Sequence, residues 1–258
     1  MKNSMDEVLE EARAEAAYDA LSRHERGERR TVRTSQGAHG KHRDGEQRAG
    51  IAGGHRSGSR AVLHRVDGQA HARIAPLTQG QGGLRVAGHG IRRMEHRRLL
   101  LQQRLRDQGF AVEVFNASVS GDTTAGGRAR LPALLQQHRP THLIIELGGN
   151  DALRGMPLAH TRANLRQMVA DAKAAGAKVL LVGMQVPPNY GASYAREFAG
   201  LFEELGRAER VGVVPFLLSG FATRPDAERW FQSDRIHPLA KAHPLMLDAL
   251  WPELRKLL

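Results

Sequence analysis

Apolar and polar positions alternate with two different periods from residue 99 to the end of the chain. The pattern predicts an amphipathic helix over residues 99–108, and Gly109 is suited to close it. Residues 111–116 (Ala-Val-Glu-Val-Phe-Asn) are short, β-branched and aromatic, which predicts a strand running into the turn-like Ser118-Val-Ser-Gly-Asp-Thr-Thr124. A helix is predicted over 125–138, stopped near Pro140. The run Leu143-Ile-Ile-Glu-Leu147 reads as a buried strand ending in Gly148-Gly-Asn-Asp151, and a helix over 158–175 stops at Gly176. Lys178-Val-Leu-Leu-Val182 repeats the buried pattern, followed by the loop 185–191 and a helix through Leu205. Val211-Gly-Val-Val-Pro-Phe216 is the last predicted strand, and a closing helix over 240–257 presents Met246, Leu247, Leu250, Trp251 and Leu254. Strand and helix alternate throughout, so the pattern predicts an α/β protein with a parallel sheet covered on both faces.

The first 98 residues break this order. Residues 1–23 carry three basic and six acidic side chains, with Val8, Leu9, Ala12, Ala16 and Leu21 near helical spacing, which predicts a short solvent-exposed helix. Residues 24–98 hold 15 Arg, one Lys, eight His and 14 Gly against six acidic residues, and no Phe, Trp or Tyr. That segment supplies +10 of the chain's net +11, and it offers too little apolar surface to offset the entropy of ordering. We therefore expect 1–98 to be an irregular basic segment ahead of a domain at 99–258. A basic tail, an RNA-binding arm and a stretch translated in the wrong frame would each give this composition. The lack of aromatics for base stacking weighs against nucleic acid as a partner.

Other classes fall away on composition. The chain has no cysteine, which removes disulfides, thiolate metal sites and cysteine nucleophiles. No run approaches the length of a membrane span. The N-terminus places acidic residues where a secretory signal needs a basic flank and an apolar core, so the chain as written is expected to stay in the cytoplasm.

In an open parallel sheet, functional groups gather beyond the carboxyl ends of the strands. Three predicted strand ends carry polar groups there: Ser120-Gly-Asp-Thr123, Gly149-Asn-Asp151 and, in a loop after the last strand, Asp234-Arg-Ile-His-Pro238. Asp234, three residues ahead of His237, can accept from Nδ1–H of the imidazole and leave Nε2 able to take a proton. Gly121 can bring its backbone N–H close to a reacting carbon and Asn150 can add a side-chain N–H beside it, which together would make an oxyanion hole. Taken singly, each motif also reads as turn or cap chemistry. Their order on successive strand ends favours the functional reading.

Asn116-Ala-Ser-Val-Ser-Gly-Asp-Thr123, Ala129-Arg-Leu-Pro-Ala-Leu-Leu135, Glu146-Leu-Gly-Gly-Asn-Asp-Ala-Leu-Arg-Gly155, Pro188-Asn-Tyr-Gly191 and Asp234-Arg-Ile-His-Pro238 resemble the motif blocks of the bacterial thioesterase I, lysophospholipase and arylesterase group of SGNH (GDSL) hydrolases. The resemblance implies a flavodoxin-like three-layer α/β/α fold and hydrolysis of acyl esters or thioesters without metal or organic cofactor. It assigns Gly121 and Asn150 to the oxyanion hole, His237 to the general base and Asp234 to its orienting partner. It also likens the loop 187–191 to the segment that closes over acyl chains, and its intact members are often periplasmic.

One block is missing. The family's first strand and its Gly-Asp-Ser-Leu turn should lie some thirty-odd residues before Gly121, and the sequence contains no Gly-Asp-Ser. Ala87-Gly-His-Gly-Ile91 resembles the residues after the family's serine and places Leu84 at the nucleophile position. Ser57 and Ser59 lack a preceding apolar strand. Ala61-Val-Leu63 and Ile74-Ala-Pro-Leu77 are short, and the second is interrupted by proline, so the first strand is expected to be absent or disrupted. The rival expectation is a non-catalytic remnant that still holds lipids, with a basic nucleic-acid-binding tail.

Overall fold

The computed structural model describes residues 72–80 and 89–258. The predicted helix in 1–23, Ser57, Ser59, Ala61-Val-Leu63 and Leu84 lie outside them.

Six strands and six helices are described, with short 3₁₀ turns between them. They are β1 (Ala72–Gly80), α1 (His89–Asp107), β2 (Val112–Val114), β3 (Val119–Ser120), α2 (Thr124–His138) and β4 (His142–Glu146). Then follow α3 (Gly149–Leu153), α4 (Leu158–Ala174), β5 (Lys178–Val182), α5 (Ala192–Glu209), β6 (Gly212–Val214) and α6 (His243–Arg255). The strands form one parallel path, β2-β1-β4-β5-β6, and β3 joins the far end of β1. The expected three-layer α/β/α architecture is therefore present.

β4 and β5 are paired on both sides, and their apolar side chains alternate between two cores. Leu143, Ile145, Leu147, Val179 and Leu181 pack with α2, α4 and α5. Ile144, Leu180 and Val182 pack with α1 and α6. Full burial of both faces is why these runs read as continuous apolar stretches. The helix ends follow local chemistry: Gly109 and Gly176 sit at positive φ just past α1 and α4. The Thr123 hydroxyl accepts the Gly126 N–H at the start of α2.

The expectation for the first strand is corrected. β1 occupies the place between β2 and β4, with Ala72–Ile74 against Val112–Val114 and Ile74–Thr78 against His142–Glu146. Ladder bonds join backbone groups, so a run with poor side-chain credentials still meets the demand of two neighbouring strands for a partner. Regular structure likewise reaches ahead of Leu99, because α1 begins at His89.

Candidate active site

Every strand points its carboxyl end the same way, and α6 runs back against them. Near its end, the Leu257 carbonyl accepts from Nε2 of His142 at 3.0 Å and from Nζ of Lys178, the first residues of β4 and β5. At its start, His243 meets His96 with ring centroids 5.1 Å apart, beside Arg97, which pairs with Glu146 at the end of β4. The segment between β6 and α6 therefore lies at the carboxyl end of the sheet, and His237 is in it.

That segment is a pinned hairpin. Phe231 bridges Pro238, the Gln232 N–H donates to the His237 carbonyl at 2.8 Å, and the Leu239 N–H donates to the Trp230 carbonyl at 2.8 Å. The fully buried Phe221 packs on the rings of Trp230 and Phe231 and ties the hairpin to the core. Arg235, at φ 58, makes the tip. Oδ1 of Asp234 accepts the backbone N–H groups of Ile236 and His237, both at 2.9 Å, and Oδ2 accepts Nδ1–H of His237. Burial pushes the Asp234 carboxyl up. The two backbone donors and the His237 imidazole outweigh burial and hold it below the usual carboxylate range. An ionised Asp234 can only accept, so Nδ1 of the imidazole is the donor to it, and in the neutral imidazole the lone pair is then on Nε2. Nε2 of His237 is buried, with no hydrogen-bond partner among the described residues.

The second pair sits on two adjacent turns. β3 pairs Val119 and Ser120 with Gln79 and Gly80, so Gly121 stands beside the end of β1. Its φ of 73 is left-handed backbone, and no atom of the described residues lies within 4 Å of where a Cβ would stand. Positive φ selects glycine here. After β4 the chain reverses at Gly148, whose φ of 117 is accompanied by close approach of Thr161, Phe202 and Phe198. The single turn α3 then presents Asn150, whose Nδ2 donates to the Asp122 carbonyl at 2.8 Å. Arg154 donates to the Gly121 carbonyl at 3.2 Å. Outside this turn, the Tyr190 hydroxyl donates to the Leu153 carbonyl and the Tyr194 hydroxyl to the Met156 carbonyl, each at 3.2 Å.

Asp234 thus meets His237, and Asn150 meets the Gly121 turn. Sequence reasoning overlooked the residues that hold these turns in place: Asp151, Thr124, Arg154 and the two tyrosines. Asp151, Arg154 and Tyr190 stand inside the quoted motif blocks, and Thr124 and Tyr194 lie just past them. No group of three or more His, Asp or Glu side chains that could hold a metal ion occurs among the described residues. No helix among them is long and apolar enough to cross a membrane.

The His237–Asp234 pair and the turns of Gly121 and Asn150 stand at the carboxyl end of one parallel sheet, and comparison with known proteins gives the class, an acyl hydrolase. Residues 77–245 match the GDSL-like lipase/acylhydrolase family, and the chain belongs to it; by family it is a carboxylic ester hydrolase. It is 48% identical over 159 residues to esterase TesA of Pseudomonas aeruginosa, covering 62% of this chain and 78% of that one. It is 41% identical over 157 residues to an arylesterase of Vibrio mimicus, covering 61% and 77%. Thioesterase 1/protease 1/lysophospholipase L1 of Escherichia coli K12 is 42% identical over 146 residues, covering 57% and 69%. The crystal structure of TesA superposes with a TM-score of 0.64 at 41% identity, covering 72% of this chain and 99% of that one. The psychrotrophic esterase EstA from Pseudoalteromonas, solved inhibited by monoethylphosphonate, gives 0.61 at 32% identity, covering 71% and 97%.

Proposed function

We propose that this chain carries the acyl-transfer site of an ester or thioester hydrolase, with His237 as general base, Asp234 as its orienting partner, and the Gly121 N–H and Asn150 amide as oxyanion donors. The carrying observation is the His237 imidazole, tied to Asp234 through Nδ1 and holding a buried Nε2 with no described partner at the end of the sheet where Gly121 and Asn150 meet. The named activities of the relatives, on aryl esters, thioesters and lysophospholipids, support this substrate class. Val119, two residues before Gly121, is a large exposed hydrophobic residue, 47% accessible, and suits contact with an acyl chain.

The sequence supplies no serine in a Gly-Asp-Ser turn, and Leu84 stands where the resemblance puts it. A leucine cannot attack an ester, so the remaining route is attack by water. His237 Nε2 takes the water proton as the new C–O bond forms, the oxyanion leans on Gly121 and Asn150, and the leaving alcohol or thiol takes the proton back. Triad enzymes without their nucleophile keep about 10³ to 10⁴ of their acceleration through oxyanion hole and binding. The unmodified chain should hydrolyse a p-nitrophenyl acyl ester only marginally faster than free imidazole. An in-frame Gly-Asp-Ser-Leu strand and turn restored ahead of residue 92 should raise turnover by several orders of magnitude, and His237→Ala in that protein should remove most of the gain. Restoration without gain overturns the acyl-site reading. Burst kinetics and fluorophosphonate labelling of the unmodified chain would overturn the water route and mark one of its own serines as nucleophile. The missing serine also favours a second reading, a lipid-holding protein without turnover; saturable binding of a long-chain acyl ester that is never cleaved would support it.

A further inference from the structure

Two oxyanion donors on separate turns work together only if something fixes the gap between them. Gly121 belongs to the turn after β3, and Asn150 belongs to α3 after β4. Both N–H groups must come within about 3 Å of one oxygen, and a small slip in either turn loses the convergence.

Asp151, next to Asn150, is fully buried, and so is Thr124, three residues past Gly121. Oδ2 of Asp151 accepts the Thr124 N–H at 2.9 Å and Oδ1 accepts the Thr124 hydroxyl. That hydroxyl in turn accepts from Nδ2 of Asn164 at 3.1 Å, and Asn164 accepts from Arg128 at 3.2 Å. Thr124 is the first residue of the 15-residue helix α2, so its N–H is one of the donors that the helix itself leaves unbonded and that favour an anion. Two further ties between the turns, Asn150 to the Asp122 carbonyl and Arg154 to the Gly121 carbonyl, lie nearer the surface.

We propose that Asp151 is a positioning residue that sets the separation of the two oxyanion donors by locking α3 onto the first turn of α2. The proposal rests on the acyl-site reading above. A carboxylate that merely capped α2 would support stability alone; one that spaces the donors also discriminates between ligands. A tetrahedral anionic oxygen needs both donors at once, whereas a planar neutral carbonyl gains little from the second.

The test is calorimetric titration of the full chain with octylphosphonate and with a methyl ketone of matching chain length. Asp151→Asn should lose about tenfold or more of the octylphosphonate affinity while ketone affinity stays within about twofold. Thr124→Val, which removes the hydroxyl and keeps the backbone bond, should shift in the same direction by less, and it serves if Asp151→Asn does not fold. Equal losses for both ligands, or unchanged octylphosphonate affinity in the variants, overturn the proposal and leave the acyl-site reading standing. An unmodified chain that takes no octylphosphonate overturns that reading itself and the proposal with it.

Discussion

Gly126 shows how tightly the turn after Gly121 is built. A Cβ added there would stand 2.0 Å from Oδ1 of Asp122. That carboxylate has little freedom to yield, because Arg130 holds Oδ2 through Nε at 2.9 Å and the Thr123 N–H holds Oδ1 at 3.0 Å. Gly126→Ala should therefore cost about 1–3 kcal/mol of stability, as overpacking does. Urea denaturation reads it, and a variant as stable as the parent would mean that Asp122 swings aside. Two histidines make a second prediction at this scale. Burial holds the His96 imidazole below its ordinary value; burial does the same to His142, opposed by the Leu257 carbonyl and assisted by Lys178. A depressed value in the fold means that the unfolded chain binds more protons, so stability is fully present above about pH 6.5 and drains away below it. The melting temperature should fall between about pH 7.5 and 5. His96→Leu should flatten that slope; a slope unchanged in this variant would show that His96 is not among its sources.

The elements differ in how far local sequence could specify them. β4 and β5 were legible because both faces are buried, which writes an unbroken apolar run; the structure sets them at His142–Glu146 and Lys178–Val182. α2, α4 and α5 were legible from period, from the stops at Pro140 and Gly176, and from the loop ending at Gly191 that precedes α5. β1 was not, because Ile74-Ala-Pro-Leu77 is short and interrupted by proline; what places it is a pair of open edges on β2 and β4, one of them far downstream. β3 and α3 are too short to leave a period. The site divides the same way. Gly121, Asn150, Asp234 and His237 stand in compact motifs, whereas the bond from Asp151 to Thr124 is made by the fold. Pairing predicts the order of opening. Amides of Leu143–Ile145 and Val179–Leu181, in strands with partners on both sides, should exchange only by global unfolding, and those of β2 and β6 by local opening. Native-state hydrogen exchange checks this, and fast exchange across β4 would mean that β1 does not stay docked.

For the molecule as a whole, the question is how a family member comes to lack a Gly-Asp-Ser block while keeping the motif blocks around Gly121, Asn150 and His237. The charge divides sharply, +10 over residues 24–98 and +4 over 99–258, and the motif blocks begin only after Leu99. If the basic stretch is a product of reading out of frame, the coding DNA will hold an apolar run followed by Gly-Asp-Ser-Leu in another frame upstream of residue 92. DNA with no such block in any frame overturns that origin and leaves a basic arm as the explanation.

The central position of β1 also bears on the order of synthesis. β1 leaves the ribosome first among the described strands, yet its longest pairing is with β4, which begins at His142. At roughly 5–20 residues per second, a strand that belongs in the middle of the sheet waits several seconds with an open edge before that partner exists. Nascent chains arrested before His142 should therefore be the ones that chaperones hold, and chains arrested after Val182 should be released.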